Sequence, residues 1–431
     1  MKKFFLIAIL ILTVNASAEV VHRIIIEGVI NPVATEYITK SIEQAEETNV
    51  EALIIQLDTP GGLMESMHKI VKAIQASEVP VIVYVAPSGS RAGSAGVFIT
   101  YAAHIASMAP STNIGSAHPV FGGSPTGAQP DTATTSTLME KVVNDAVAKI
   151  RSLAEKRGRN ADWAEKAITE SANITEKEAL KLKVIDFIAP SVDSLLSLID
   201  GRQVELDVGV VKTLRTANAQ VITFEMNWRQ RLLDIISNPN VAYILLMLGI
   251  YGILFELYSP GAILPGVVGG ICLILGLYAL QTLPVNYAGF LLIIFAVILF
   301  LLEIKIPSYG LLTIGGIISL IMGSVMLFES PLPFLRVSWQ VITFVVTLSV
   351  LFFVFAIGMA IRTHRKKPTT GDAGLIGEIG EVYKPLNPEG TIKVHGEYWK
   401  AVSDEPCKKG QKVEVVEFNR NTLVLKVKPV K

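Results

Sequence analysis

Between residues 240 and 361 the chain runs through five apolar stretches, at about 241–258, 262–280, 287–302, 309–328 and 341–361. Runs approaching ~20 apolar residues match the hydrocarbon thickness of a bilayer, and shorter ones fit by local adjustment. A chain carrying this block cannot close around a single soluble core, so five membrane spans are predicted. Glu256, Glu303 and Lys305 fall near span ends, where charges can snorkel to the interface. Arg362, Arg365, Lys366 and Lys367 follow the last span, which by the positive-inside rule puts that end in the cytoplasm. Five crossings then place everything before the block on the outer side.

The N-terminus agrees. Lys2 and Lys3, an apolar core over 4–14 and Ala16-Ser17-Ala18 read as a signal peptide over 1–18; the core is short for an uncleaved anchor helix. The block also explains a mean hydropathy of +0.48 in a chain of 431 residues, a length that implies two or three domains. Formal net charge is zero, which argues against nucleic acid held by bulk charge. Cys272 and Cys407 make neither a disulfide framework nor a metal-site spacing, so no metal and no cofactor are expected.

From residue 20 to about 190 apolar strand-like runs (20–30, 52–58, 81–86) alternate with helical spacing (32–48, 63–75). That alternation predicts a largely parallel sheet, whose sites lie at the strand ends. Two turns fall there. Gly61-Gly62 follows the second strand, and Ser94 follows the third between Gly93, Ala95 and Gly96, where an apolar helix begins. A serine there sits beside unpaired N–H groups at the positive end of a helix dipole, and it reads as a nucleophile. A turn in which small residues merely pack is the competing reading. The N–H groups at Gly61-Gly62 and at Ala95 could hold an oxyanion.

Three residues compete as base. Lys141 lies on a predicted helix, 138–157, whose Leu138, Val142, Ala146, Ile150 and Leu153 share one side; an apolar setting would favour the neutral amine that a base must be. His118, in S-A-H-P-V, is an imidazole without an orienting carboxylate evident from spacing. His104, on an apolar stretch, reads as a core histidine. Residues 121–137, rich in Gly, Ser, Thr and Pro, are expected to form a loop, as a lid over the site or an idle surface loop. Residues 190–228 read as a connector to the membrane. Residues 371–431 carry short alternating strands that suggest a small OB-fold-like barrel; balanced charge and few aromatics point to a protein partner rather than nucleic acid.

Four motifs in order, L-D-T-P-G-G (57–62), A-G-S-A-G (92–96), N-I-G-S-A-H-P-V (113–120) and K-V-V-N-D-A-V-A-K-I-R-S-L-A-E-K-R-G-R-N (141–160), resemble the long-form NfeD family. E-S-A-N-I-T-E-K-E-A-L-K-L-K-V-I-D (170–186) matches that family's closing segment, except that Lys183 stands where a glycine is often found. The resemblance covers essentially the whole mature chain. It implies a membrane-bound serine protease of several domains: an α/β ClpP/crotonase-like domain over 19–227, an α-helical transmembrane bundle over 240–361 and the all-β barrel over 371–431. It also implies a Ser–Lys dyad, with Ser94 as nucleophile and Lys141 as base, and oxyanion donors at the backbone of Gly62 and Ala95. His118, where ClpP-like relatives have a triad histidine, is the alternative base. Stomatin-like membrane proteins are the implied partners, with apolar segments as substrates, and a homo-oligomer in the inner membrane is expected. Two other readings stand: a non-proteolytic scaffold for stomatin-like assemblies, and crotonase-like acyl-CoA chemistry, which export separates from cytosolic CoA.

Overall fold

The computed structural model describes residues 19–120, 132–207, 209–258, 261, 263–283, 285–306, 308, 310–328, 330, 333–364, 372–419 and 422–430. The expected signal peptide, and residues 121–131 of the expected lid, lie outside the described residues. The chain divides into two compact units between Thr347 and Leu348.

The first unit opens with β1 (Val20–Glu27), α1 (Pro32–Glu47), β2 (Ala52–Asp58), α2 (Met64–Ala76), β3 (Val81–Val85), β4 (Arg91–Gly93), α3 (Ala95–Ala102), β5 (Ile105–Met108) and β6 (Asn113–Gly115). Asn31 starts α1 by accepting a hydrogen bond from Ala34 N at 2.8 Å, and Pro32 supplies a first-turn residue with no N–H to satisfy. Then come α4 (Thr132–Arg157), α5 (Ala161–Thr169), β7 (Asn173–Thr175), α6 (Glu176–Lys181), β8 (Phe187–Ile188), α7 (Val192–Ile199), β9 (Gln203–Asp207), β10 (Val210–Thr213) and β11 (Gln220–Phe224). The main sheet runs β11-β1-β2-β3-β5-β8, every pair parallel. Such a sheet must be covered on both faces, and β2 and β3 accordingly are almost wholly buried. Ile55, Val83, Phe98 and Tyr101 belong to one core, while Ile54, Ile82, Tyr84 and Leu195 belong to another. A small side sheet, β4-β6-β7, carries the residue before Ser94.

Residues 190–228 are not the connector that their sequence suggests. β11 adds an edge strand to β1, and the β9–β10 hairpin buries Val204 and Leu206 with Leu214 against one face. Single strands this short give no local sign of a partner some 200 residues earlier. The helix expected over 138–157 also begins earlier, at Thr132.

His104 is the core histidine that the sequence suggests. It is 8% exposed, and its Nδ1 accepts from Val81 N at 3.1 Å, which requires an unprotonated ring nitrogen. Burial first, then the charges of Arg157, Arg159 and Lys156, drives its pKa from 6.5 to about 3. A folded pKa below the unfolded one contributes stability that is fully present above about 6.5 and lost as pH falls through about 3. The detergent-solubilised chain should therefore lose unfolding midpoint across that window. His104→Asn, which keeps an acceptor and does not titrate, should lose less in a denaturant series followed by tryptophan fluorescence.

The amphipathic α8 (Trp228–Ile236) leads into α9 (Pro239–Tyr258), α10 (Ile263–Thr282), α11 (Tyr287–Lys305), α12 (Leu311–Leu327) and α13 (Trp339–His364), the last extending into the second unit. Among the described residues α9 and α10 carry apolar windows long enough to cross a membrane; α11, α12 and α13 carry shorter ones. α9 and α10 approach closely, and a Cβ on Gly252 would lie 2.6 Å from Gly269 Cα. Tyr243 of α9 bonds Ser324 of α12 through its hydroxyl at 2.7 Å. Glu303 does more than sit at an interface. Its carboxylate accepts from Ser308 Oγ at 2.6 Å and from Gly310 N and Thr313 N at 3.0 Å each, capping the start of α12.

In the second unit β12 (Ile379–Lys384), β13 (Glu389–Val394), β14 (Glu397–Ser403), β15 (Lys412–Asn419) and β16 (Val424–Pro429) close a barrel in the order β12-β13-β14-β16-β15. Alternate residues, among them Val382, Ile392, Val394, Val413 and Leu425, fill its interior. The barrel is the one expected.

Candidate active site

The end of β2 and the start of α3 are stitched together by backbone. Thr59 N donates to Arg91 O at 2.8 Å, Gly93 N donates to Thr59 O at 2.9 Å, and Asp58 Oδ1 accepts from Arg91 N at 3.0 Å. Thr59 Oγ1 in turn accepts from Gly61 N at 3.0 Å, which fixes the turn after the strand. On the other side Ser94 N donates to Gly115 O at 3.1 Å. Held this way, Ser94 has φ 50° and ψ −109°, a left-handed conformation that a non-glycine residue adopts only when its surroundings impose it. The result is a sharp strand-to-helix elbow with the serine at its apex.

Gly61 makes the elbow possible. Its φ is +120°, and a Cβ there would sit 2.6 Å from Ser94 Cβ and 3.1 Å from Ser94 Oγ. Gly61→Ala should push the serine aside, and a displacement of about 1 Å typically costs 10²-fold in rate. The expected outcome is a kcat lower by about 10²-fold on a peptide substrate, with little change in KM.

Ser94 opens into a cavity of about 140 Å³. Leu63, Met64, Met67, Phe98 and Val120 give it an apolar lining, and Gly62 and Ala95 border it beside the serine. Ile30 N donates to Gly61 O and Ile30 O accepts from Leu63 N, each at 2.9 Å, so the Gly62 N–H between them takes no backbone acceptor among the described residues. Ala95 is the first residue of α3, and its N–H is one of the donors a helix start leaves unpaired. Two such N–H groups flanking a serine can stabilise charge developing on a carbonyl oxygen.

The base candidates are placed unequally. Lys141 stands exposed on α4, and among the described residues its neighbours give it no fully buried apolar setting: Leu138 is 50% exposed, and Met139, Val142 and Val143 are half-buried. The burial of α4 falls on Ala146, Ile150, Leu153 and Ala154, further along the helix. Asp145, one turn after Lys141 and on the same helix face, does line the cavity. His118 is held by a 2.7 Å hydrogen bond between its Nδ1 and Ile168 O; its neighbours Ala117 and Pro119 line the cavity, and it does not.

Two residues that bear on the site, one in its lining and one behind it, escaped the sequence reading. His68 of α2 lines the cavity with Asp145. Burial, then the Lys149 charge, holds its pKa below the ordinary value, against the pull of Asp145. Only its position one helical turn past Gly62-Leu63-Met64 could have marked it. Arg159 secures the far end of α3: its Nη1 donates to Thr100 O at 3.2 Å and to Tyr101 O and Ala103 O at 2.9 Å each, and its Nη2 meets Asp186 Oδ2 at 2.9 Å. Its signal was a charged R-G-R-N run inside an otherwise helical motif. Among the described residues no group of three or more His, Cys, Asp or Glu is placed to hold a metal ion.

The NfeD1b N-terminal domain family matches residues 20–224, the NfeD integral membrane domain family residues 240–359, and the NfeD-like C-terminal, partner-binding domain family residues 372–426. The membrane-bound protease PH1510 of Pyrococcus horikoshii is 39% identical over 412 residues, covering 93% of this chain and 91% of that protein. Membrane protein NfeD1b of Bacillus subtilis is 28% identical, over 98% of this chain and 96% of its own length. Among solved structures, a lysine-to-alanine variant of the 1510-N membrane-bound stomatin-specific protease in complex with a substrate peptide is 36% identical. It covers 51% of this chain and 98% of that one, with a TM-score of 0.46.

Proposed function

The chain belongs to the NfeD family of membrane proteins, and on that premise we propose that it is a membrane-anchored serine endopeptidase that cleaves apolar segments of stomatin-like proteins. The observation that carries the proposal is Ser94: strained at an elbow, open to an apolar cavity, and flanked by the free N–H of Gly62 and the helix-start N–H of Ala95. In the proposed reaction Ser94 Oγ attacks the scissile carbonyl while neutral Lys141 takes the serine proton. The oxyanion is held by Gly62 and Ala95, the protonated lysine returns its proton to the leaving amine, and water releases the acyl group. Lys141 is favoured because Asp145, one turn on along the same helix face, lines the cavity and the lysine amine makes no hydrogen bond among the described residues, whereas His118 is absent from the cavity lining; the Nδ1 contact with Ile168 O leaves its Nε2 available, so it stays the alternative base. The relative PH1510, named a membrane-bound protease, and the stomatin-specific activity named for 1510-N support the reaction and substrate class.

The proposed topology has five crossings, with the domain bearing Ser94 outside and the barrel in the cytoplasm. It is supported by Pro239, Leu283 and Phe334, which line one cavity. They belong to the start of α9, the α10–α11 connection and the α12–α13 connection, which share one end of a bundle only when successive helices alternate in direction.

Cleavage of an apolar stomatin-like peptide by the full chain in detergent, followed by mass spectrometry, tests the reading. Lys141→Ala should be silent, and His118→Ala and His68→Gln should cleave. Silence of either histidine variant with Lys141→Ala active would transfer the base to that histidine. No cleavage by folded wild type would favour the scaffold, a reading that the partner-binding description of the C-terminal family keeps open. In that case a Ser94→Ala chain should support stomatin-dependent function as well as wild type.

A further inference from the structure

Two residues lining the Ser94 cavity, Ser330 and Leu335, come from the membrane region, some 240 residues later in the chain. They lie on the connection between α12 and α13, Leu335 closing its 3₁₀ turn (Pro333–Leu335). Both are buried, at 2% and 6% exposure. Ser338 N donates to Asn240 Oδ1 at 2.8 Å, tying this connection to the start of α9. On its other side lies a second cavity of about 210 Å³, bordered by Gly28, Val29, Pro239 and Leu283. Leu63 and Leu335 line both cavities, so these two side chains form the partition between them. One comes from the turn beside Ser94, the other from the membrane region.

We propose that Leu335 is a specificity-determining residue of the cleft. In this reading the α12–α13 connection is the membrane-side wall of the substrate site, and Leu335 sets the size of the apolar side chain accepted next to the scissile bond. A cavity of about 140 Å³ has room for a side chain of about leucine size, and Leu63, Met67, Phe98 and Leu335 give it an apolar wall, with His68 and Asp145 also in the lining. The second cavity leads from Leu335 to Pro239 and Leu283, at the mouth of the helical bundle. A substrate that lies across the Leu63–Leu335 partition runs from the bilayer surface to Ser94, so its class is an extended segment contiguous with a membrane-embedded one, polar enough to pass Glu27, Asn31 and Asp234 in the second cavity and apolar where it meets Leu335. The inference rests on the endopeptidase reading and adds that the membrane helices take part in choosing the substrate.

The test uses full-length protein in detergent, with wild type, Leu335→Ala and Leu335→Met, and a peptide series carrying Ala, Val, Leu, Phe or Trp at the residue contributing the scissile carbonyl. Wild type should prefer Leu, and Leu335→Met, which keeps the volume, should behave the same. Leu335→Ala joins the two cavities and should raise the kcat/KM ratio of Phe or Trp over Val by about tenfold or more. Labelling of Ser94 by a small fluorophosphonate should be alike in all three, which separates a changed pocket from a damaged fold. Unchanged side-chain preference in a Leu335→Ala chain that labels normally overturns the inference and leaves the endopeptidase standing. Loss of both labelling and cleavage in Leu335→Ala, with Leu335→Met normal, assigns Leu335 to the fold and also overturns it. No Ser94-dependent cleavage by wild type overturns both.

Discussion

Ser94→Ala should lose at least about 10³-fold in cleavage rate, and up to about 10⁶-fold if nucleophile and base act as one unit. Stability should hardly move. Ser94 Oγ makes no hydrogen bond among the described residues, and alanine meets the same backbone strain at φ 50°. Removing the hydroxyl leaves the Gly62 and Ala95 donors and the apolar cavity in place, so substrate should still bind with a Kd within about threefold of wild type. A nucleophile predicts this split between binding and turnover; a packing serine predicts the reverse. Single-turnover cleavage, peptide binding by fluorescence anisotropy and a thermal unfolding curve on one preparation separate the two. Retention of more than a tenth of wild-type turnover would remove Ser94 from the chemistry.

Arg159→Met should destabilise the α/β domain by about 3–5 kcal/mol, a large share of the roughly 5–15 kcal/mol that a domain of ordinary stability has. Its side chain is 3% exposed, and its guanidinium is the donor for three carbonyls at the end of α3 and the partner of Asp186. Asp186 also accepts from Ala106 N at 2.8 Å and lies 3.4 Å from Arg202, so losing Arg159 strands a carboxylate among backbone groups that are already occupied. α3 follows directly on Ser94, which couples this end of the helix to the elbow: activity should fall alongside stability. Arg159→Lys should recover only part of the loss, because one ammonium cannot span the carbonyls and the carboxylate that a planar fork reaches together. Adding Asp186→Asn to Arg159→Met should cost less than the two changes separately, since the stranded charge is then gone. Denaturant unfolding of the four variants measures all of this. A cost under about 1 kcal/mol for Arg159→Met would show that solvent replaces the guanidinium.

What the sequence disclosed, it disclosed through local pattern. The apolar runs of β2 and β3, the small residues around Ser94 and the alternating strands of the barrel are each written in consecutive residues, where burial on two faces, a tight elbow or a pleat leaves its period. Long-range pairing leaves none. β11 reads as a short half-exposed strand until β1 is beside it. Arg159 looks like one more basic residue near the end of α4 until α3 and Asp186 converge on it. His68 occupies an ordinary position on an amphipathic helix, and nothing in the 330s announces that Leu335 packs into a cavity with Ser94. Lys141 shows the opposite failure: apolar neighbours in sequence suggested an apolar setting, but among the described residues of α4 the fully buried ones start at Ala146, and the lysine itself is exposed beside the half-buried Val142 and Val143.

The most direct test of the central claim is to map the covalent adduct formed when the intact chain, in detergent, meets a peptidyl fluorophosphonate with an apolar recognition residue. Proteolysis and tandem mass spectrometry should find one adduct, on Ser94, absent from Ser94→Ala, strongly slowed in Lys141→Ala and retained in His118→Ala. An adduct on another side chain, or none on folded wild type, would contradict an active serine at the elbow.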